Sequence, residues 1–361
     1  MYIEMIKKGE TTDCLTLLFT YPDESLYDTR FTAFAKKCRN NAQALFGDNP
    51  LVNQRLEKEL DVIYNTNTLD TFEMITEIVT LSKENGYPIT LFGEEAGLLI
   101  SYVLGISNVH PNQYGFFPTS SDIVLHKFEK EKNPVLTLAI APPIQEWILP
   151  RLQTVFSAEN YGEFEILKKE DSFYDPTFID EFVCIDLLPI SSLTTIRNLS
   201  LSTGFSYQKI PLDNERILGS LQKDICENEL HWDISPEVSE TLLDVAKYYA
   251  YAKCTSSNEK TFDSLKEIGD FVFRDTLFEK LIQLGIDNSV AFTLMRLWKK
   301  IDSYKEMLEK ANAPSSLLQT YEQLSNLWSQ ASCLSRLNLL AMLKYYQLQY
   351  PTLFGNTFGI N

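Results

Sequence analysis

The spacing of apolar residues changes character near Thr203, and that change bounds the architectures open to this chain. Across residues 52–85 the positions Leu56, Leu60, Ile63 and Tyr64, then Phe72, Ile75, Ile78, Val79 and Leu81, recur near helical spacing and predict two amphipathic helices. Gly86-Tyr87-Pro88 breaks the second, and residues 89–92 read as a short strand. A helix is expected from about Gly93 through Leu98, Leu99, Tyr102, Val103 and Leu104 to a stop at Gly105. Residues 134–141 and 182–188 have the composition of buried strands. Beyond Thr203 the strand signals fade, and residues 242–251, 277–284, 289–301, 317–327 and 332–350 all keep a helical period, punctuated by Gly285, Pro314 and Pro351. An α/β core followed by a nearly all-α half is expected, with residues 1–50 left unassigned.

The chain has 361 residues, of which 44% are hydrophobic, enough to give two packed domains a core each. No apolar run reaches membrane-spanning length, and Glu4, Lys7, Lys8 and Glu10 leave no signal-peptide pattern, so a soluble cytoplasmic protein without membrane contact is expected. Cys14, Cys38, Cys184, Cys226, Cys254 and Cys333 lie far apart, which argues for buried free thiols rather than a zinc or redox motif. With His110, His126 and His231 alone, a histidine-based centre has little material. The net charge of −17 opposes nonspecific attraction to phosphate backbones. Tyr248-Tyr249-Tyr251 and Phe271, Phe273 and Phe278 could stack bases, but their spacing beside leucines is that of a core.

The order of several short motifs is more specific than any one of them. Residues 55–63, the following helix to Asn85-Gly86-Tyr87-Pro88, and Tyr102-Val103-Leu104-Gly105-Ile106 resemble the opening of the palm of the bacterial DNA polymerase III alpha subunit. Phe273-Arg274-Asp275, Leu281-Ile282, Gly285-Ile286-Asp287, Ser289, Ala291-Phe292, Met295 and Lys299-Lys300 resemble the fingers of its PolC type. Tyr345, Tyr350-Pro351 and Leu353-Phe354 resemble its last long fingers helix. The resemblance runs over residues 51–361. It implies an α/β palm of the polymerase-beta-like nucleotidyltransferase type at 51–205, lacking a thumb, followed by a mainly α-helical fingers domain at 206–361.

The same resemblance implies where chemistry would sit. The family's paired catalytic acids, at alternate positions of a strand after a proline, match Val135, Thr137 and Ala139, none of which can hold magnesium. Its third aspartate matches Asp186, whose plain alternative is a strand-end aspartate bonded to backbone. The phosphate-binding turn matches residues 90–95, with Phe92 in an arginine's place, then Gly93, then Glu94 in a serine's place; Glu94 and Glu95 are expected to cap the helix that follows. The basic positions of the last fingers helix match Gln330, Ser332, Met342 and Gln347, leaving Arg336 and Lys344 as the cations near that face.

The implied function is that of a catalytically inactive relative, a pseudoenzyme without a cofactor, that works through a protein partner in or around DNA replication, with weak or absent DNA binding. Residual DNA or nucleotide binding in a palm–fingers cleft is the first alternative. An active magnesium-dependent DNA polymerase is the second, with Asp186 recruiting Asp122, Glu129 or Glu131.

Overall fold

The computed structural model describes residues 15–19, 26–111, 119–130, 135–156, 164–168, 183–231, 237–254, 261–296, 298, 303–310 and 313–358. Cys14, Glu131, Pro134, Phe182 and the pair Lys299-Lys300 lie outside them. The first half holds strands β1 (Leu15–Phe19), β2 (Thr90–Phe92), β3 (Leu136–Ile140), β4 (Phe164–Lys168) and β5 (Val183–Pro189). Its helices are α1 (Tyr27–Phe46), α2 (Pro50–Asn65), α3 (Leu69–Glu84), α4 (Leu99–Val103), α5 (Thr119–Lys130), α6 (Gln145–Val155) and α7 (Ser191–Thr203). Among the described residues the second half is mainly helical: α8 (Glu215–Asn228), α9 (Leu242–Cys254), α10 (Phe262–Ile268), α11 (Arg274–Gln283), α12 (Asn288–Arg296), α13 (Tyr304–Lys310), α14 (Ser315–Gln323), α15 (Gln330–Gln349) and α16 (Pro351–Phe358). The expected order, a mixed α/β part and then helices, is present.

The strands form one sheet in the order β2-β3-β5-β1-β4. Only β3 and β5 run parallel; the other neighbours are antiparallel. Leu136, Leu138 and Ile140 alternate with Thr137 and Ala139 along β3, and register places Leu136 against Ile185 and Leu138 against Leu187. These leucines and isoleucines are buried and form one wholly apolar face. Residues 1–50, which the sequence leaves unassigned, contribute β1 between β5 and β4 and all of α1, which packs on α2.

Local chemistry explains the helix boundaries. Asn49 caps α2 by accepting from the N–H groups of Leu51 and Val52, with Pro50 at the first helical position, where its missing N–H costs nothing. After α3 ends, the Arg197 Nε of α7 donates to the Asn85 carbonyl at 2.8 Å, and its guanidinium lies 4.6 Å from the Tyr87 ring centre. The helix expected to open at Gly93 is split in two: a 3-10 turn at Glu94–Gly97, an extended residue at Leu98, and then α4. The cause is remote in sequence. The buried carboxylate of Glu59 accepts from the N–H groups of Leu99 (3.1 Å) and Ile100 (2.8 Å), so α4 begins where that carboxylate lies.

Helix α15 ties the halves together. It touches β2, the Glu94–Gly97 turn and α7 on one side and α8 and α9 on the other, and it is buried on nearly every face. Buried Asn338 donates from Nδ2 to the carbonyl and the side-chain oxygen of Asn108, and Thr90 of β2 donates to that same side-chain oxygen. The tyrosines and phenylalanines are core, as expected: Tyr249, Tyr251, Phe273 and Phe278 are buried, and Trp298, Tyr304 and Tyr321 pack as a cluster with ring centres 5.3–5.5 Å apart. Cys38, Cys226, Cys254 and Cys333 are free and buried. Burial pushes the Cys38 and Cys254 thiols up to about 12 and that of Cys226 up to about 11, which marks them as unreactive.

Replacing Asn338 with leucine removes two of the three hydrogen bonds to Asn108 at similar volume: the Asn108 carbonyl loses the Nδ2 donor, while its side-chain oxygen keeps Thr90. The expected loss is about 1–3 kcal/mol, the cost of an acceptor stripped of its donor, read as a lower urea midpoint with an unchanged slope.

Candidate functional site

Pairing of the strands aligns the sequence-nominated positions in a single row. Phe92 of β2 registers with Thr137 of β3, Thr137 with Asp186 of β5, and Asp186 with Thr16 of β1. Residues in such a row project from the same face. Val135 and Ala139 share that face with Thr137 by alternation, and Asp186 is 6% exposed. The structure therefore brings Phe92, Thr137 and Asp186 together, and the row holds one carboxylate.

Phosphoryl transfer by two divalent ions needs several carboxylates converging on both metals, and magnesium demands a near-octahedral shell of oxygens. Among the described residues no group of three or more His, Cys, Asp or Glu side chains is arranged to hold a metal ion. Among the described residues, the strand row through Asp186 does not by itself supply the oxygens a magnesium pair needs. The substitute acids are engaged elsewhere. Asp122 pairs with Arg55 (3.1 Å) and Lys58 (2.6 Å) between α2 and α5, and Glu129 faces His126 Nδ1 at 3.4 Å on its own helix; Glu131 lies outside the described residues.

The turn after β2 is built on Gly93, whose φ of 105° and ψ of −174° place it in a region open essentially to glycine. A side chain there would also meet Glu95 Oε2 at 2.5 Å. Glu94 and Glu95 stand in the first turn of the Glu94–Gly97 3-10 helix, as acids at a helix N-terminus are expected to. Each is also drawn to a cation. Glu94 Oε1 accepts from Arg274 Nη1 of α11 at 2.5 Å, and buried Glu95 accepts from Lys127 Nζ of α5 at 2.5 Å. Arg274 also donates from Nη2 and Nε to the Leu327 carbonyl, at 2.8 and 3.2 Å, and its own N–H bonds the Trp328 carbonyl. Next to it, Asp275 Oδ2 accepts from the Gln330 N–H at 2.7 Å and so holds the first turn of α15.

Helix α15 delivers Arg336 to this turn. Its guanidinium carbon lies 4.2 Å from the Phe92 ring centre and 5.0 Å from that of Trp328, a cation held between two aromatic faces. Burial pulls its pKa down to about 10. Lys344, the other cation expected near this face, points away from the turn: its Nζ pairs with Asp224 of α8 at 2.5 Å. Gln330 and Ser332 occupy the capped start of α15, where Ser329 Oγ accepts from the Ser332 N–H, while Met342 is buried farther along. Arg274 was visible in the sequence only as part of a fingers-like motif; nothing local marked it as the partner of a glutamate 180 positions earlier.

Comparison with known proteins bears on part of this region. The profile of the family described as "Bacterial DNA polymerase III alpha NTPase domain" matches residues 32–130, which take in most of α1, helices α2 to α5, β2 and the Gly93 turn. An error-prone DNA polymerase of Cutibacterium acnes is 30% identical over 96 residues, 26% of this chain and 8% of that polymerase's length. A distant relationship to DNA polymerase III alpha proteins is supported there. The family match ends before β3, β5 and α15.

The Arg274–Glu94 contact gives a graded prediction. Glu94→Gln is expected to destabilise the fold by about 1–3 kcal/mol because it leaves a charged donor poorly matched. Arg274→Met is expected to cost more, since it also strips the Leu327 carbonyl of its donors. A double-mutant cycle by chemical denaturation is expected to show coupling between the two positions; strict additivity would mean the pair contributes nothing.

Proposed function

We propose that this chain is a catalytically inactive relative of the bacterial replicative DNA polymerase III alpha subunit, of the PolC type, with a palm at residues 51–205 and fingers at 206–361. It works through contacts with a protein partner in or around DNA replication, in the bacterial cytoplasm, and binds DNA weakly or not at all. The observation that carries this reading is the row Phe92, Thr137, Asp186, in which one carboxylate stands where two metal ions would need several.

Two further features support it. The turn that would meet a triphosphate carries Glu94, and the nearby Arg274 already spends its charge on that carboxylate. The net charge of −17 adds an unfavourable field for polyanions. Among the described residues no helix is long and apolar enough to cross a membrane. One observation favours residual nucleotide binding as a second reading: Arg274 and Arg336 both stand beside the Gly93 turn. Each is already engaged, by Glu94 or by two aromatic rings, which is why this reading ranks second.

Primer extension with all four deoxynucleotides and either magnesium or manganese is expected to yield no product. Extension that persists through purification and vanishes in Asp186→Ala would overturn the inactive reading. Titration of primer-template DNA and of deoxynucleotides at low salt checks the second reading, with no saturable binding expected. The partner claim is checked by affinity capture from a bacterial lysate, with replication proteins expected to be enriched over a charge-matched control protein.

A further inference from the structure

A groove of about 370 Å³ opens on the helical half, between the end of α10, the turn Gly269–Val272 and one side of α11. That volume is at the small end of the range that holds ligands or single large side chains, about 300–1,000 Å³. Its apolar surface comes from Phe271, which is half-buried against the core, with Ile268 buried beneath the groove floor. Its polar lining includes the exposed carboxylates of Glu267 and Glu279. Neither carboxylate has an ion pair among the described residues; Glu279 accepts only a long contact, 3.4 Å, from Gln283. The one cation in the groove, Lys280, reaches back along its own helix to Gln283 Oε1, also at 3.4 Å. At Gly269 the wall is open, with nothing within 4 Å of where a Cβ would stand.

An apolar surface beside unpaired carboxylates matches one kind of side chain well: an aliphatic stem ending in a cation. Arginine fits better than lysine, because its planar guanidinium can stack on the Phe271 ring and still offer donors to a carboxylate. The overall acidic field favours approach of a basic partner and opposes an anionic one. We propose that this groove is a docking surface for an arginine-bearing segment of a partner protein, with the arginine stem on Phe271 and its head beside Glu267 and Glu279. The proposal takes its biological meaning from the reading of the chain as one that works through protein contacts, and gives that partner a chemistry.

The test is a fluorescence-anisotropy titration with a labelled decapeptide of alternating arginine and leucine, alongside its glutamate-for-arginine counterpart. The full chain is expected to bind the arginine peptide, more weakly as salt rises, and to ignore the glutamate peptide. Glu267→Lys with Glu279→Lys is expected to weaken binding by about ten-fold, while Glu306→Lys with Glu309→Lys, two exposed acids of α13 whose reversal changes the net charge equally, leaves it in place. No binding of the arginine peptide, or equal loss in both double variants, overturns the proposal; equal loss would assign the attraction to the general acidic field. Because no replication protein takes part, a negative result here leaves the reading under Proposed function standing, and failure of the lysate capture leaves this one standing.

Discussion

Burial of α15 on almost every side is the constraint from which the rest of the structure follows. From Ala331 to Tyr346 that helix has little free surface, so its polar groups gain most from partners inside the protein, although Ser335 Oγ and Asn338 Oδ1 have no hydrogen-bond partner among the described residues. Asn338 finds Asn108, Lys344 finds Asp224, and the Tyr346 hydroxyl donates to the Phe205 carbonyl at 2.7 Å. Those partners belong to the loop after α4, to α8 and to the segment after α7. One helix thereby fixes elements of both halves, and its rotation and register are set by polar contacts that an apolar surface alone would leave free to slide.

The same logic governs the charges near the Gly93 turn. Glu59, Glu94 and Glu95 crowd the region around the start of α4, an arrangement that would repel itself if left alone. Each has a cation at hydrogen-bonding distance: Arg55 for Glu59, Arg274 for Glu94 and Lys127 for Glu95. Arg274 and Lys127 come from α11 and α5, so neutralising Glu94 and Glu95 also docks two helices on the turn, whereas Arg55 pairs with Glu59 within α2 itself. A buried ion pair roughly balances its desolvation cost, and its value here is in specifying which surfaces meet.

What the sequence made legible follows from the range of the forces involved. Helices α2, α3, α9, α11 and α15 were readable because their periodicity is written in neighbouring residues, and β3 and β5 because a buried strand needs a short continuous apolar run. The break at Leu98 was not readable, since a carboxylate forty positions earlier sets it. The cation partners of Glu94 and Glu95 were unreadable for a similar reason: the helix start where both acids stand is local, but Arg274 and Lys127 come from far along the chain. Alternation along β3 was enough to group Val135, Thr137 and Ala139, whereas the register of Thr137 against Asp186 needed the pairing itself. Strand β1 and helices α7 and α8 carried no motif that set them apart, and they became evident only through the neighbours they pack on.

The composition of the row through Asp186 also bears on the electrostatics of the sheet. A strand face that gathers several carboxylates holds like charges close together, and in the absence of a cation that repulsion either raises their pKa values or loosens the strands. With threonine at 137 and apolar groups at 135 and 139, the lone Asp186 faces no such competitor on β3. The opposite face of the sheet, with Leu136, Leu138, Ile185 and Leu187, supplies burial that does not depend on what the Asp186 face carries. The two faces answer to different demands: the apolar one keeps the sheet folded, and side chains on the other can vary at little cost to that burial.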